Sequence, residues 1–139
     1  LNVFSGHALA RGITDKRVMN IQGGSIVVIS SIASKIGEPG LVNYSASKAA
    51  LNGAMRAMAK ELATRNIRVN SVLPGFVMTE MVEKWKDVYD EAYIKKINSQ
   101  YPLGIGEPQD VSNIVCFLLG EKSRWITGSE LDVNGGANL

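Results

Sequence analysis

Cysteine and histidine are nearly missing from this 139-residue sequence, which has Cys116 and His7 and no second copy of either. A lone cysteine excludes an internal disulfide, and the pair leaves no His/Cys metal cluster. Neither sign of charge dominates: 15 Lys and Arg against 13 Asp and Glu leave a net +2, too little to argue for nucleic acid or an anionic membrane surface as partner. Long apolar runs are missing too. The longest, 26–29 and 114–119, fall far short of the roughly 20 residues that span a bilayer. No basic stretch leads into an apolar one at the start, so no secretory signal is expected and the compartment defaults to the cytoplasm. An initiator methionine is also missing. The chain starts Leu1-Asn2-Val3-Phe4, inside or at the edge of a helical pattern, and is expected to be part of a longer protein. Cys116, in an apolar helical run, is expected in the core, and His7 on the surface.

What is present fits one soluble globular domain over residues 1–139: 45% of residues are hydrophobic and 20% charged. Residues 3–20 are weakly helical, with Phe4, Leu9, Ile13, Val18 and Met19 as an irregular apolar stripe. Gly23-Gly24 marks a loop. The β-branched run from Ser25 to Ser31 suits a strand buried on both faces, as in a parallel sheet, and it stops in hydroxyl residues. After the turn Gly37-Glu38-Pro39-Gly40, a long helix is expected over 43–64, with Leu51, Met55, Met58 and Leu62 as its buried stripe. Ala46, Ala49, Ala50, Gly53, Ala54 and Ala57 make that helix rich in small residues. They permit close approach to the sheet or to a partner helix, or simply reflect alanine's helix propensity. Asn66 ends the helix, 67–73 reads as a second strand closed by Pro74-Gly75, and the short connections favour a right-handed βαβ unit.

Residues 76–101 carry two apolar stripes on one charged helical pattern, Met81/Trp85/Val88/Ala92 and Tyr89/Tyr93/Ile97/Tyr101. That suits a lid with contacts on two sides or an ordinary amphipathic helix, and its place after Pro74-Gly75 favours the lid. Glu107-Pro108 opens another helix, with Pro108 at its first position, Asp110 in its first turn, a well-buried apolar end and Gly120 as its cap. A third strand over 128–133, with Leu131 and Val133 inward, runs into Asn134-Gly135-Gly136. Strands separated by helices argue for an α/β, doubly wound parallel sheet.

Chemistry collects around Tyr44 and Lys48. Side chains four apart share a helix face. Bringing an ordinary phenol, which ionises near 10, to neutrality takes about 4 kcal/mol; one ammonium ~4 Å away at an effective dielectric of ~20 supplies that much. Alone, such a pair is more commonly a solvated surface. In open parallel sheets, however, ligands bind beyond the carboxyl ends of the strands. Here those ends carry Ser30-Ser31, Pro74-Gly75 and Asn134-Gly135-Gly136, with Tyr44 and Lys48 at the start of the intervening helix.

The pieces SIVVISS, YSASK, RVNSVLPGFVMTEM, GEPQDVSNIVCFLL and WITGSELDVNGG occur in that order across Gly24 to Gly136. Together they resemble the C-terminal portion of a short-chain dehydrogenase/reductase, with Ser31 placed 13 residues before Tyr44 and Lys48 four after it. The branch most resembled is the 3-oxoacyl-acyl-carrier-protein reductase. The resemblance implies a Rossmann-like fold and an NAD- or NADP-dependent hydride transfer between nicotinamide and a carbonyl or secondary alcohol. It implies Tyr44 as the general acid, Lys48 as the residue that activates it and bonds the nicotinamide ribose, and Ser31 as donor to the substrate oxygen. Ser30 would support the strand end. Pro74, Gly75, Val77 and Thr79 would line the cofactor, and Asn2 would sustain a water relay to the lysine, although a helix N-cap is the alternative for Asn2. A homodimer or homotetramer through helix 43–64 is also implied, with a small-molecule substrate and no nucleic acid or membrane.

The sequence departs from the family at its front. The glycine-rich dinucleotide turn is absent. The nearest internal candidate, Gly104-Ile105-Gly106-Glu107-Pro108-Gln109, lacks the third glycine and follows no strand. Also absent is the position that separates NAD from NADP. The isolated chain is therefore expected to be inactive, and the competing reading is a non-catalytic folding or subunit-association module.

Overall fold

Residues 67–74 alternate toward two faces and both faces are covered. The computed structural model describes residues 2–18, 23–37, 39–84 and 87–138. In it β2 (Ile67–Pro74) lies between two parallel neighbours, β1 (Gly24–Ile29) and β3 (Glu130–Val133). Ile67, Val69, Val72 and Leu73 are all but inaccessible, as expected of a central strand in a parallel sheet. The described residues also form five α-helices: α1 (Asn2–Ile13), α2 (Val42–Leu62), α3 (Glu80–Lys84), α4 (Glu91–Asn98) and α5 (Pro108–Leu119).

The two sheet faces follow from strand alternation. Ile67 and Val69 of β2 join Met55, Ala59 and Leu62 of α2 in one core cluster, and Ile26, Val28 and Met58 pack against it. The opposite face belongs to α5. Arg68 donates to the carbonyls of Leu118 (2.9 Å) and Gly120 (3.1 Å), and Ser25, its register partner on β1, donates to Leu118 as well (2.8 Å). A cation at the carbonyl end of a helix is favourable on both hydrogen-bonding and dipole grounds. Both connections step the same way across the sheet, yet α2 and α5 lie on opposite faces. The two crossovers therefore have opposite hands, and one breaks the usual right-handed preference. Asn70 offsets part of that cost. Fully buried, it donates to Ile126 (2.9 Å) and accepts from Ser129 (3.1 Å), tying the start of β3 to β2.

The expected elements of α2, β2, β3 and the start of α5 are found, with Leu51, Met55 and Leu62 buried and Met58 partly so. Pro108 is at the start of α5, and Glu107 and Asp110 cap it reciprocally. Asn66 ends the region after α2 in the left-handed conformation. Gly120 caps α5 in extended backbone.

Other expectations are corrected. β1 is half-buried, with Ile29 45% exposed, because it pairs with β2 alone among the described residues. The helix at the front stops at Ile13, turns occupy 16–18, and Met19 lies outside the described residues. Its bulky stripe is not core: Phe4, Leu9, Ile13 and Val18 are exposed. α1 meets α2 through small residues instead, since a Cβ on Gly6 would sit 3.4 Å from Leu51 Cδ2 and Ala10 is buried. The apolar end of α5 buries Leu118 but leaves Phe117, Leu119 and Cys116 exposed, because only one side of that helix touches the sheet. Ala46, Ala49, Ala50 and Ala57 face outward rather than toward the sheet.

The described residues of 76–101 form two short helices, α3 and α4, not one pattern with two faces. Asp90 accepts the N–H of Tyr93 at 2.7 Å and starts α4 afresh. Trp85 and Glu38 lie outside the described residues. Among the described residues no helix is long and apolar enough to cross a membrane.

Candidate active site

Parallel register brings the strand ends level. Ile29 pairs with Val72, and Pro74 with Val133. Ser30 N–H donates to Val72 O (2.9 Å) and Gly75 N–H to Val133 O (3.0 Å), so the chain leaves β1 and β2 still held by its neighbour. The segments that follow, Ser30-Ser31, Gly75 onward and Asn134-Gly135-Gly136, share one edge, where open α/β sheets bind ligands.

The first half of α2 is pinned to this edge by side chains. Lys48 Nζ donates to Ile29 O at 3.0 Å, and Ser30 Oγ donates back to Lys48 O at 3.1 Å. Ser30 is buried, which fits a supporting role for it. The Lys48 ammonium lies 5.7 Å from the centroid of the Tyr44 ring, one turn earlier, within cation–π range. Tyr44 is 42% exposed and opens to solvent. Ser31, in extended backbone, caps the short 3-10 helix Ile32–Ser34 by accepting the N–H of Ala33 at 3.2 Å. A hydroxyl used as an acceptor there keeps its own proton for another partner.

On the second strand end, residues 76–78 make a parallel bridge to Gly106. Gly106 N–H donates to Phe76 O (3.1 Å) and Met78 N–H to Gly106 O (2.8 Å). In such a bridge the intervening residue turns its own N–H and C=O the other way, so both backbone groups of Val77 point away from Gly106. Gly75 serves a close approach within the chain: a Cβ there would lie 2.7 Å from Tyr101 Cε1 and 3.0 Å from Asn134 Cα. Tyr101 also accepts the Phe76 N–H on its hydroxyl at 2.9 Å. Phe76, Tyr89 and Tyr93 form an aromatic cluster, with centroids 5.8 Å apart for Phe76–Tyr89 and 5.5 Å for Tyr89–Tyr93, which ties α4 to this loop. Thr79 precedes α3 and accepts the N–H of Glu83 at 3.1 Å.

Ser31, Tyr44 and Lys48 are thus held by one helix and one strand end, while Pro74, Gly75, Val77 and Thr79 follow the neighbouring end. Asn2 opens α1, and its side chain lies outside what is described. An open groove of about 390 Å³ runs from residues of α1, including Val3 and His7, along β1 to Lys48.

Sequence reasoning missed several polar side chains here. Asn52, one turn beyond Lys48, is buried and donates to Ser34 Oγ (2.9 Å) and Glu130 Oε2 (3.3 Å). Glu130 also pairs with Arg56. A polar residue every fourth position, Tyr44, Lys48, Asn52 and Arg56, was the available signal for Asn52; Ser34 had none.

A family model described as enoyl-(acyl carrier protein) reductase matches residues 1–138. Curated relatives include a 3-oxoacyl-[acyl-carrier-protein] reductase of Rickettsia bellii, 45% identical over 122 residues, covering 87% of this chain and 49% of the relative. The (3R)-3-hydroxyacyl-CoA dehydrogenase of Homo sapiens is 45% identical over 114 residues, covering 81% of this chain and 42% of that protein. The chain spans about half the length of the curated relatives it matches. Among solved structures, a 4-hydroxyisoleucine dehydrogenase complexed with NADH superposes with a TM-score of 0.90 at 34% identity, covering 99% of this chain and 56% of that one. A short chain dehydrogenase family protein from Francisella tularensis superposes with a TM-score of 0.87 at 30% identity, covering 99% and 59%.

Proposed function

Because this chain belongs to the short-chain dehydrogenase/reductase family, we propose that it is the catalytic, substrate-side part of an NAD(P)-dependent oxidoreductase acting on a 3-oxoacyl thioester or the matching 3-hydroxy compound. The observation that carries this reading is the double tie between Lys48 and the end of β1, which brings the Ser31 segment to the helix bearing Tyr44. The acyl specificity rests on the names of the relatives.

The residues present suit the nicotinamide end of the cofactor. Lys48 Nζ supplies donors for a ribose hydroxyl, and the outward N–H and C=O of Val77 match a carboxamide, which both accepts and donates. Pro74, Gly75 and Thr79 continue that wall. Bound there, the nicotinamide supplies the hydride in reduction and accepts it in oxidation. Ser31 donates its hydroxyl proton toward the substrate oxygen, where negative charge grows, and Tyr44 delivers the proton that neutralises it. In oxidation Tyr44 takes that proton back. The Lys48 ammonium, held by Ile29 O, orients the Tyr44 ring beside it. Asn2 extends the proton path from Lys48 toward solvent, and residues 76–101 fold over the substrate as a lid. The exposed alanines of α2 favour assembly into a dimer or tetramer through helix 43–64; the same face favours the second reading, an association module without catalysis.

The test uses the protein at its full natural length. NADH or NADPH oxidation is followed spectrophotometrically with a short 3-oxoacyl thioester, and the 139-residue chain is assayed alongside. Turnover at full length, with loss of nucleotide fluorescence change in the short chain, supports the proposal. No turnover with either nucleotide and either direction of substrate would leave the association module standing.

A further inference from the structure

The segment that carries Ser31 is fixed to α2 on both sides. Upstream, Ile29 O and Ser30 Oγ bond Lys48. Downstream, Ser34 Oγ accepts from Asn52 Nδ2 at 2.9 Å and donates to the carbonyl of Ser31 itself at 2.6 Å. We infer that Ser34 and Asn52 are positioning residues that set the place of Ser31 relative to Tyr44, an inference that rests on the roles proposed above for Ser31 and Tyr44.

The hydrogen-bond directions are dictated from one end. Glu130 accepts only, so the side of Asn52 that faces it must be the NH2 group. Arg56 pairs with the same carboxylate and holds it in place. The amide oxygen then faces Ser71, whose hydroxyl donates to it at 2.9 Å. With both Asn52 donors assigned, Ser34 receives one of them, and its own proton goes to Ser31 O. Asn52 is only 4% exposed and Ser71 is inaccessible, so no water substitutes for a lost partner without the network rearranging.

Geometry connects this network to the site rather than to the core in general. Tyr44, Lys48 and Asn52 recur at four-residue steps on α2 and so project from one stripe. Ile32 and Ala33 are buried and Lys35 pairs with Asp132, so the 3-10 turn of 32–34 is packed in place; the Ser34–Asn52 bond adds the side-chain hydrogen bond that ties it to α2. Ser31 is then held to the same helix that carries Tyr44, as a preorganised donor must be.

The experiment compares wild type, Ser34→Ala, Ser31→Ala and the double variant at full natural length, with the short 3-oxoacyl thioester as substrate and NADPH or NADH binding titrated by fluorescence. Ser34→Ala is expected to lower kcat about tenfold, because small displacements of a reacting group are costly. Cofactor affinity should stay within about twofold, and in the Ser31→Ala background the added Ser34→Ala change should cost less than about twofold more, since residues acting as a unit are non-additive. An equal loss in both backgrounds, or unchanged kcat in Ser34→Ala, overturns the inference while leaving the reaction assignment intact. Full turnover in the single Ser31→Ala variant removes Ser31 from the chemistry, and the inference falls with it; that result is separable because it needs no Ser34 change.

Discussion

Met55 and Met81 are the same side chain in opposite circumstances. Met55, in the middle of α2, has no accessible surface, while Met81, in α3, is 62% exposed. The contrast extends to the regions around them. The β1-α2-β2 unit shares a contiguous apolar cluster and holds Ser31, Tyr44 and Lys48 through bonds that cross from helix to strand. Among the described residues the segment 76–101 has two helices of five and eight residues, buries Val82 from α3 and none of α4, is tied to itself through Phe76, Tyr89, Tyr93 and Tyr101, and meets the rest at the Gly106 bridge and at Gly75. The groups proposed to move protons are built on the rigid half. The half proposed to meet the variable part of a substrate is attached through the Gly106 bridge and the packing of Tyr101 on Gly75, as expected of a region drawn from the low-stability end of a fold.

If the rigid half holds the chemistry, its largest failure should come from one oxygen atom. Tyr44→Phe keeps the ring against Lys48 and removes only the hydroxyl, so kcat should fall by about 10²–10⁴, the usual contribution of a positioned acid, with nucleotide binding nearly unchanged by fluorescence titration. Substantial retained turnover would take Tyr44 out of the acid role. Next in size is Met55→Ala, which empties a site at the centre of the cluster and should destabilise by about 2–5 kcal/mol in urea unfolding. A loss below about 1 kcal/mol would mean that the cluster collapses around the gap, and that this half is less rigid than its burial implies.

The same contrast marks what was legible in the sequence. α2 and β2 announce themselves because periodicity and burial agree: Leu51, Met55 and Leu62 fall where the stripe puts them, and Ile67 to Leu73 carries residues fit for two covered faces. The strand ends were legible through their hydroxyl, proline and glycine residues, and so was the edge where they converge. The front helix and the apolar end of α5 were misread for one physical reason. An apolar residue on a helix is buried only if something stands opposite, and neither the stripe of α1 nor Cys116 of α5 has a described partner there. The break in 76–101 had a local sign, an aspartate able to cap at Asp90, which the apolar periodicity running across it obscured. Long-range polar ties such as Asn70 to 126–129 and Asn52 to Ser34 left no periodic trace, because they depend on which strands become neighbours.

A smaller effect tests how the segment after β2 is held together. Tyr101→Phe removes the acceptor of the Phe76 N–H but keeps the ring that fills the space over Gly75. The expected loss is about 1 kcal/mol in urea unfolding, with faster amide exchange at Phe76 and weaker nucleotide binding through the Val77 loop. An unchanged exchange rate at Phe76 would show that the loop is held by its Gly106 bridge alone.

The smallest expected effect is the sharpest check on the opening contrast. Met81→Ala removes the same atoms as Met55→Ala, but from a side chain already mostly in water and lying in a five-residue helix outside the main cluster. Alanine also has the higher helix propensity, so stability should change by less than about 0.5 kcal/mol. A substrate-covering role makes a separate demand: for long acyl thioesters KM should rise, while short ones are unaffected, because only the longer chain reaches α3. A stability loss comparable to that of Met55→Ala would mean that α3 packs against a surface supplied from elsewhere, and the division between a rigid catalytic half and a loosely held lid would have to be redrawn.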